Sequence, residues 1–184
     1  MTYSQRARTR RATSAAVALL FTVSACSGDD PVSPGPGTGS AVEVPPNAQV
    51  VAFDVVQEVT TPISGIVERR REVIADAAEW AALWDEMQSR VMPKPPVPEI
   101  DFGARMVVFA SMGERTSGGY AISVLEAAQE EDVLYVEVEE ATPGIECITT
   151  DVISTPAVAV VVPRTTSMVL FVEREIAYPC APGA

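Results

Sequence analysis

Few residues of this 184-residue chain have types and spacing that could do chemistry. Arg115-Thr116-Ser117-Gly118-Gly119-Tyr120 brings together a cation, two hydroxyls, paired glycines and an aromatic ring. The glycines allow positive φ and close backbone approach. Arg115 offers charge-assisted hydrogen bonds, and Tyr120 offers an aromatic anchor. That is chemistry for holding a partner, and a plain hairpin turn would use the same two glycines. A phosphate cradle is a poor fit, because no helix start and no Lys-Ser/Thr follows.

Bond-making chemistry has little to work with. The chain has no histidine, which excludes Ser-His-Asp and Cys-His mechanisms and any His-ligated zinc or haem. Acidic pairs such as Glu130-Glu131 and Glu139-Glu140 read as solvated strand edges and turns, and nothing in their spacing points to a shared pocket. Gly28-Asp29-Asp30 is too short for a calcium loop. No catalytic residue, metal or cofactor is expected, and the chain reads as a non-enzyme.

The three cysteines divide by context. Val23-Ser24-Ala25-Cys26 has the form of a bacterial lipobox, in which a branched residue and two small ones precede a thiol that accepts diacylglyceryl. Arg6, Arg8, Arg10 and Arg11 form a positive start ahead of the apolar stretch of 12 residues from Ala12 to Val23. That is a signal peptide, since a bilayer span needs about 20 apolar residues. Residues 1–25 are therefore expected to be removed and Cys26 lipidated, anchoring the chain outside the cytoplasm at a bacterial cell envelope. Ser27 fits onward sorting to the outer membrane, while Asp29 and Asp30 leave the choice of membrane open. Cys147 and Cys180 then remain as an even pair in an oxidising compartment, which favours a disulfide.

Charge narrows the partners. The net charge is −12, and without the four arginines of residues 1–25 nine cations face 25 carboxylates, a net charge of −16. Nucleic acid needs a basic surface, so it is excluded as a partner. An anionic membrane surface is equally unsuitable, and membrane contact is expected through the lipid alone.

The elements that must position these residues follow from composition and periodicity. Residues 26–47 form a tether: 12 of the 21 positions after Cys26 are Gly, Pro or Ser, too few apolar groups to offset ordering entropy. One globular domain is expected over 48–184. Val50 to Val59 is rich in β-branched residues and Ile66 to Ile74 resumes after a breaker cluster, which predicts an antiparallel hairpin. Arg69, Arg70 and Arg71 lie in its second strand and read as a solvated, salt-bridged stretch.

Asp76-Ala77-Ala78-Glu79 resembles a capping box, and Trp80, Leu83, Trp84, Met87 and Val91 share one helical face, a core stripe. Pro93 to Pro98 stops that helix with a rigid extended connection. Arg105 to Met112, Tyr120 to Ala127, Val133 to Glu140, Ala157 to Val162 and Met168 to Glu173 read as strands. In the third, Leu134, Val136 and Val138 alternate with Tyr135, Glu137 and Glu139. The expected fold is α+β and mostly β, an antiparallel sheet or sandwich with one amphipathic helix.

Taken in order, these motifs resemble the C-terminal domain family named after the protease complex subunit PrcB, an envelope lipoprotein found with a surface protease. Glu79-Trp80 and Leu83-Trp84 match its helix. Gly113, Arg115, Gly118, Gly119 and Tyr120 match its Gly-x-Arg-Pro-Thr-Gly-Gly-Tyr loop. Pro143-Gly144-Ile145-Glu146-Cys147, Ser154-Thr155-Pro156 and Val162-Pro163-Arg164 match its later stretches. The resemblance spans about residues 72–175.

Two departures stand out. Thr116-Ser117 replaces Pro-Thr, which would loosen the loop. Ala157-Val158 replaces an aromatic-histidine pair, which would alter what that strand presents. The resemblance implies a non-catalytic accessory module that binds a protein partner, a protease among the candidates, and helps stabilise or assemble a protease complex. Two alternatives stand beside it. One is a protease inhibitor using a Gly-Gly-Tyr hairpin, as in chagasin-like inhibitors. The other is an envelope spacer without a ligand.

Overall fold

A computed structural model describes residues 42–59 and 62–180. The expected signal peptide, the expected lipidation site Cys26 and residues 27–41 of the expected tether lie outside the described residues.

Eight strands and one α-helix are present among them: β1 (Gln49–Val50), β2 (Asp54–Val55), β3 (Arg69–Ile74), α1 (Ala77–Met87), β4 (Arg105–Met112), β5 (Ala121–Glu130), β6 (Val133–Pro143), β7 (Ala157–Pro163) and β8 (Met168–Tyr178). They make two four-stranded sheets, an outer one of order β1-β5-β6-β8 and a central one of order β2-β7-β4-β3. The α+β, mostly β reading is correct.

Patterning explains the layers. Met106, Val108 and Ala110 of β4 join Val158, Val160 and Val162 of β7 against Leu134, Val136 and Val138 of β6. Their alternate neighbours Val107, Phe109, Ala157, Ala159 and Val161 face Trp80, Leu83, Trp84 and Met87 of α1. Strands β4 and β7 are thus buried on both faces and read as unbroken apolar runs, whereas β6 is covered on one face and alternates.

The helix begins where Asp76 accepts hydrogen bonds from the amides of Ala78 (2.8 Å) and Glu79 (2.9 Å). Its indoles donate to the proline-rich connection, Trp80 Nε1 to the Pro98 carbonyl and Trp84 Nε1 to that of Pro95, both at 3.1 Å. Prolines suit this path because their carbonyls accept while they have no N–H to leave unpaired.

Three expectations are corrected. Val50 to Val59 is not one strand: β1 pairs with β5, β2 pairs with β7, and the chain crosses between sheets with Val51 and Phe53 in the interlayer. Consequently β3 has no hairpin partner there and pairs antiparallel with β4. The sheets are also not wholly antiparallel, since β6 and β8 run parallel from Val133↔Met168 to Pro143↔Tyr178. A chain that leaves β7 in one sheet and enters β8 in the other is free of the two-residue hairpin that would enforce antiparallel pairing.

Candidate functional site

The start of β3, the ends of β4, β6 and β8, and the beginnings of β5 and β7 meet at one end of the sandwich, as the register pairs Arg69↔Met112, Ser111↔Ala157, Ala121↔Ala141 and Pro143↔Tyr178 show. The Gly113 to Tyr120 segment leaves β4 here. It is not a hairpin turn, because β4 and β5 belong to different sheets. That removes the hairpin on which the inhibitor alternative was built.

Hydrogen bonds hold this crossing on several sides. Arg115 and Ser154 form an isolated antiparallel bridge, with N–H donations of 2.8 Å to the Ser154 carbonyl and 3.0 Å back. The Ser154 hydroxyl donates to the Ser117 carbonyl at 2.7 Å, and the Gly118 amide donates to Thr150 at 3.0 Å. The Tyr178 hydroxyl donates to the Gly119 carbonyl at 2.5 Å. The loop expected to loosen without its Pro-Thr pair is therefore tied to two other segments.

Gly119 has φ +92° and Gly113 has φ +74°, both in the region that disfavours side chains. Gly118 has no such φ, but a Cβ there would run into Thr150 Oγ1. Thr116 and Gly119 are exposed, and Arg115, Ser117, Gly118 and Tyr120 are half-buried. The Arg115 guanidinium carbon sits 5.7 Å from the centre of the Tyr120 ring, within cation–π range. Tyr120 is thus neither a free anchor nor a core residue, but a ring partly covered by its own loop's cation.

Beneath the loop the apolar interlayer ends in charge. Glu140 follows Leu134, Val136 and Val138 on the inward side of β6 and is only 4% exposed. Its Oε1 accepts from Arg69 Nε (2.8 Å) and Arg71 Nη2 (2.5 Å), and its Oε2 lies 3.8 Å from Arg115 Nη2. Glu173 of β8 accepts from Arg69 Nη2 at 2.8 Å and from Arg71 Nε at 2.9 Å. These pairs join β3 to β8, the edge strands of the two sheets.

Burial works against the charge of Arg71, yet its hydrogen bonds to Glu173 and Glu140 outweigh that and raise its pKa above the ordinary arginine value. Arg70 points to the other face, where the Glu86 carboxylate of α1 raises its pKa. The arginine triplet is salt-bridged as expected, but it is not all solvated, since Arg71 is largely buried between its carboxylates. Glu140 is not the solvated edge residue expected, and its parity with Val138 was the signal.

Cys147 and Cys180 are bonded, with Cα atoms 5.1 Å apart, and fasten the segment after β6 to the residues following β8. Ala157 and Val158 are both buried, so the second departure alters the core on either side of β7 rather than a presented surface. Among the described residues no group of His, Cys, Asp and Glu has the arrangement of a metal site, and no helix is long and apolar enough to cross a membrane.

Strand β4, the tied crossing, the β5–β6 pair and β7 in this order are what the family comparison recognises. Residues 106–163 match the PrcB C-terminal family. The matched stretch contains the whole Gly113 to Tyr120 crossing, Glu140, Cys147 and Ser154. The PrcB C-terminal match is narrower than the expected 72–175, and leaves out β3, α1 and β8. No curated protein and no solved structure matches the chain.

Proposed function

We propose that the domain is a non-catalytic binding module of the bacterial cell envelope, held there by lipid on Cys26, that helps stabilise or assemble a protease complex. The Arg115 to Tyr120 loop is its contact with that protein partner. The PrcB C-terminal match supports the association with a protease complex. The absence of histidine and the weakness of every carboxylate constellation support a non-enzyme.

One observation carries the choice of loop: its backbone is fixed by hydrogen bonds while Arg115 keeps donors unspent, a preorganised polar contact beside an aromatic ring. The test is crosslinking and pull-down of the full chain from its own envelope, with Arg115→Ala/Tyr120→Ala alongside. A protease-complex component recovered only by the wild type is the expected result. Equal recovery by both removes the loop from the mechanism. Lipidation is tested separately, by fatty-acid labelling that Cys26→Ser abolishes.

A further inference from the structure

The segment that follows β6 carries more exposed apolar surface than a solvated turn requires. Ile145 and Ile148 are fully exposed, and Val152 and Ile153 are more than half exposed. Yet the segment is tied down, through Cys147 to Cys180, through the Thr150 carbonyl to Gly118, and through Ser154 to Arg115. Clustered aliphatic side chains held in water on a fixed backbone mark an interaction surface.

Their chain neighbours touch the candidate loop. Ile153 precedes the bridge residue Ser154, and Ile148 precedes Thr149, whose methyl lies 3.3 Å from where a Gly119 Cβ would stand. Arg115 sits at the border of the two segments. Its Nε is buried without a hydrogen-bond partner, and apart from the Tyr120 ring its guanidinium meets only Glu140, in a 3.8 Å ion pair, among the described residues. Around it Arg69 and Arg71 are hydrogen-bonded to Glu140 and Glu173, whereas the guanidinium of Arg115 makes no hydrogen bond among the described residues, which leaves its Nη donors free for an anion. Glu146 and Asp151, exposed on the aliphatic segment itself, repel an anion placed over it.

We infer that the two segments form one docking surface, whose occupant is an extended protein segment carrying a carboxylate beside aliphatic side chains. The carboxylate takes the Nη groups of Arg115, and the aliphatic groups cover Ile148 and Ile153. This rests on the loop reading above and adds the partner's chemistry to it.

The probe is an acetylated, amidated tripeptide with aspartate between two leucines, titrated into the full chain while backbone amide resonances are followed. Saturable shifts at Thr116, Gly118 and Ile148 are expected. The same peptide with asparagine should bind at least about tenfold more weakly, as should the aspartate peptide on Arg115→Gln. Serine in place of the leucines, or Ile148→Ser/Ile153→Ser in the protein, should weaken binding too. Equal shifts with the aspartate and asparagine peptides, saturation elsewhere, or no shift overturns the inference, and the asparagine arm needs no variant to fold. Loss of partner capture in Arg115→Ala/Tyr120→Ala without any aspartate preference overturns the partner chemistry and leaves the loop reading standing. The reverse pattern overturns the loop reading, and with it the assignment of this chemistry to the natural partner.

Discussion

Arg71 Nη2 donates to Glu140 Oε1 at 2.5 Å at the point where the buried row of β6 runs out of apolar side chains. A carboxylate so placed is tolerable only because guanidinium groups meet it. This layer closes one end of the sandwich and forms the floor under the candidate loop.

Glu140→Ala strands the arginines above it, and a loss of about 3 to 5 kcal/mol is expected in urea unfolding. Glu139→Ala, one residue away and facing outward toward Arg174, should cost no more than about 1 kcal/mol. Equal losses for the two would contradict the buried assignment of Glu140.

The raised pKa of Arg71 fixes a sign. Stability from a group whose folded pKa lies above its unfolded value is complete below the unfolded value and disappears as pH rises through the folded one. The stability gap between wild type and Arg71→Met should therefore stay constant from neutral into mildly alkaline pH. A gap that closes in that interval would place its source in another titrating group and not in the charge of Arg71.

Glycines in the crossing should differ in tolerance. At Gly113 a Cβ would lie 2.8 Å from the Arg69 backbone nitrogen and 3.0 Å from the Val67 carbonyl oxygen, with φ at +74°. Gly113→Ala is expected to cost more than about 1 kcal/mol, because a backbone neighbour cannot step aside. Gly118→Ala meets only the rotatable Thr150 hydroxyl and should cost less, with Thr150→Ala relieving it. Thermal melts of the two single variants and the Gly118→Ala/Thr150→Ala double would reveal a reversed order.

Removing the disulfide should act locally on the site. Cys147→Ser/Cys180→Ser is expected to lower stability by up to about 3 to 4 kcal/mol. It should also raise hydrogen exchange at the Gly118 amide, whose acceptor Thr150 lies on the released segment, while leaving β4 and β7 protected. Unchanged exchange at Gly118 would mean that the loop holds itself without the bond.

The helix start offers a control away from the site. Asp76→Ala should cost about 1 kcal/mol through its two lost amide acceptances, and Asp76→Asn much less. A large loss from the asparagine variant would assign Asp76 a role beyond capping.

Local physics was legible in the residues themselves. The apolar stripe of α1, the cap at Asp76, the alternation of β6 and the unbroken runs of β4 and β7 each reflect how many faces an element must bury, and burial leaves its period in the sequence. The Cys147 and Cys180 pairing followed from counting, once Cys26 was set aside as the expected lipidation site.

Only the tertiary structure decided what depends on which strands are neighbours. Val50 to Val59 has the composition of one strand, but it is divided between two sheets because the sandwich edge must be crossed there. Gly118 and Gly119 suit a hairpin equally well, and their role in an inter-sheet crossing follows from β4 and β5 lying in different layers. Glu140 has the same formula as Glu139, and what separates them is the direction of a side chain relative to an arginine 69 residues earlier in the chain. Composition and period record how much an element buries, whereas which residues meet at the sandwich end is set by long-range pairing, and that leaves no local pattern to read.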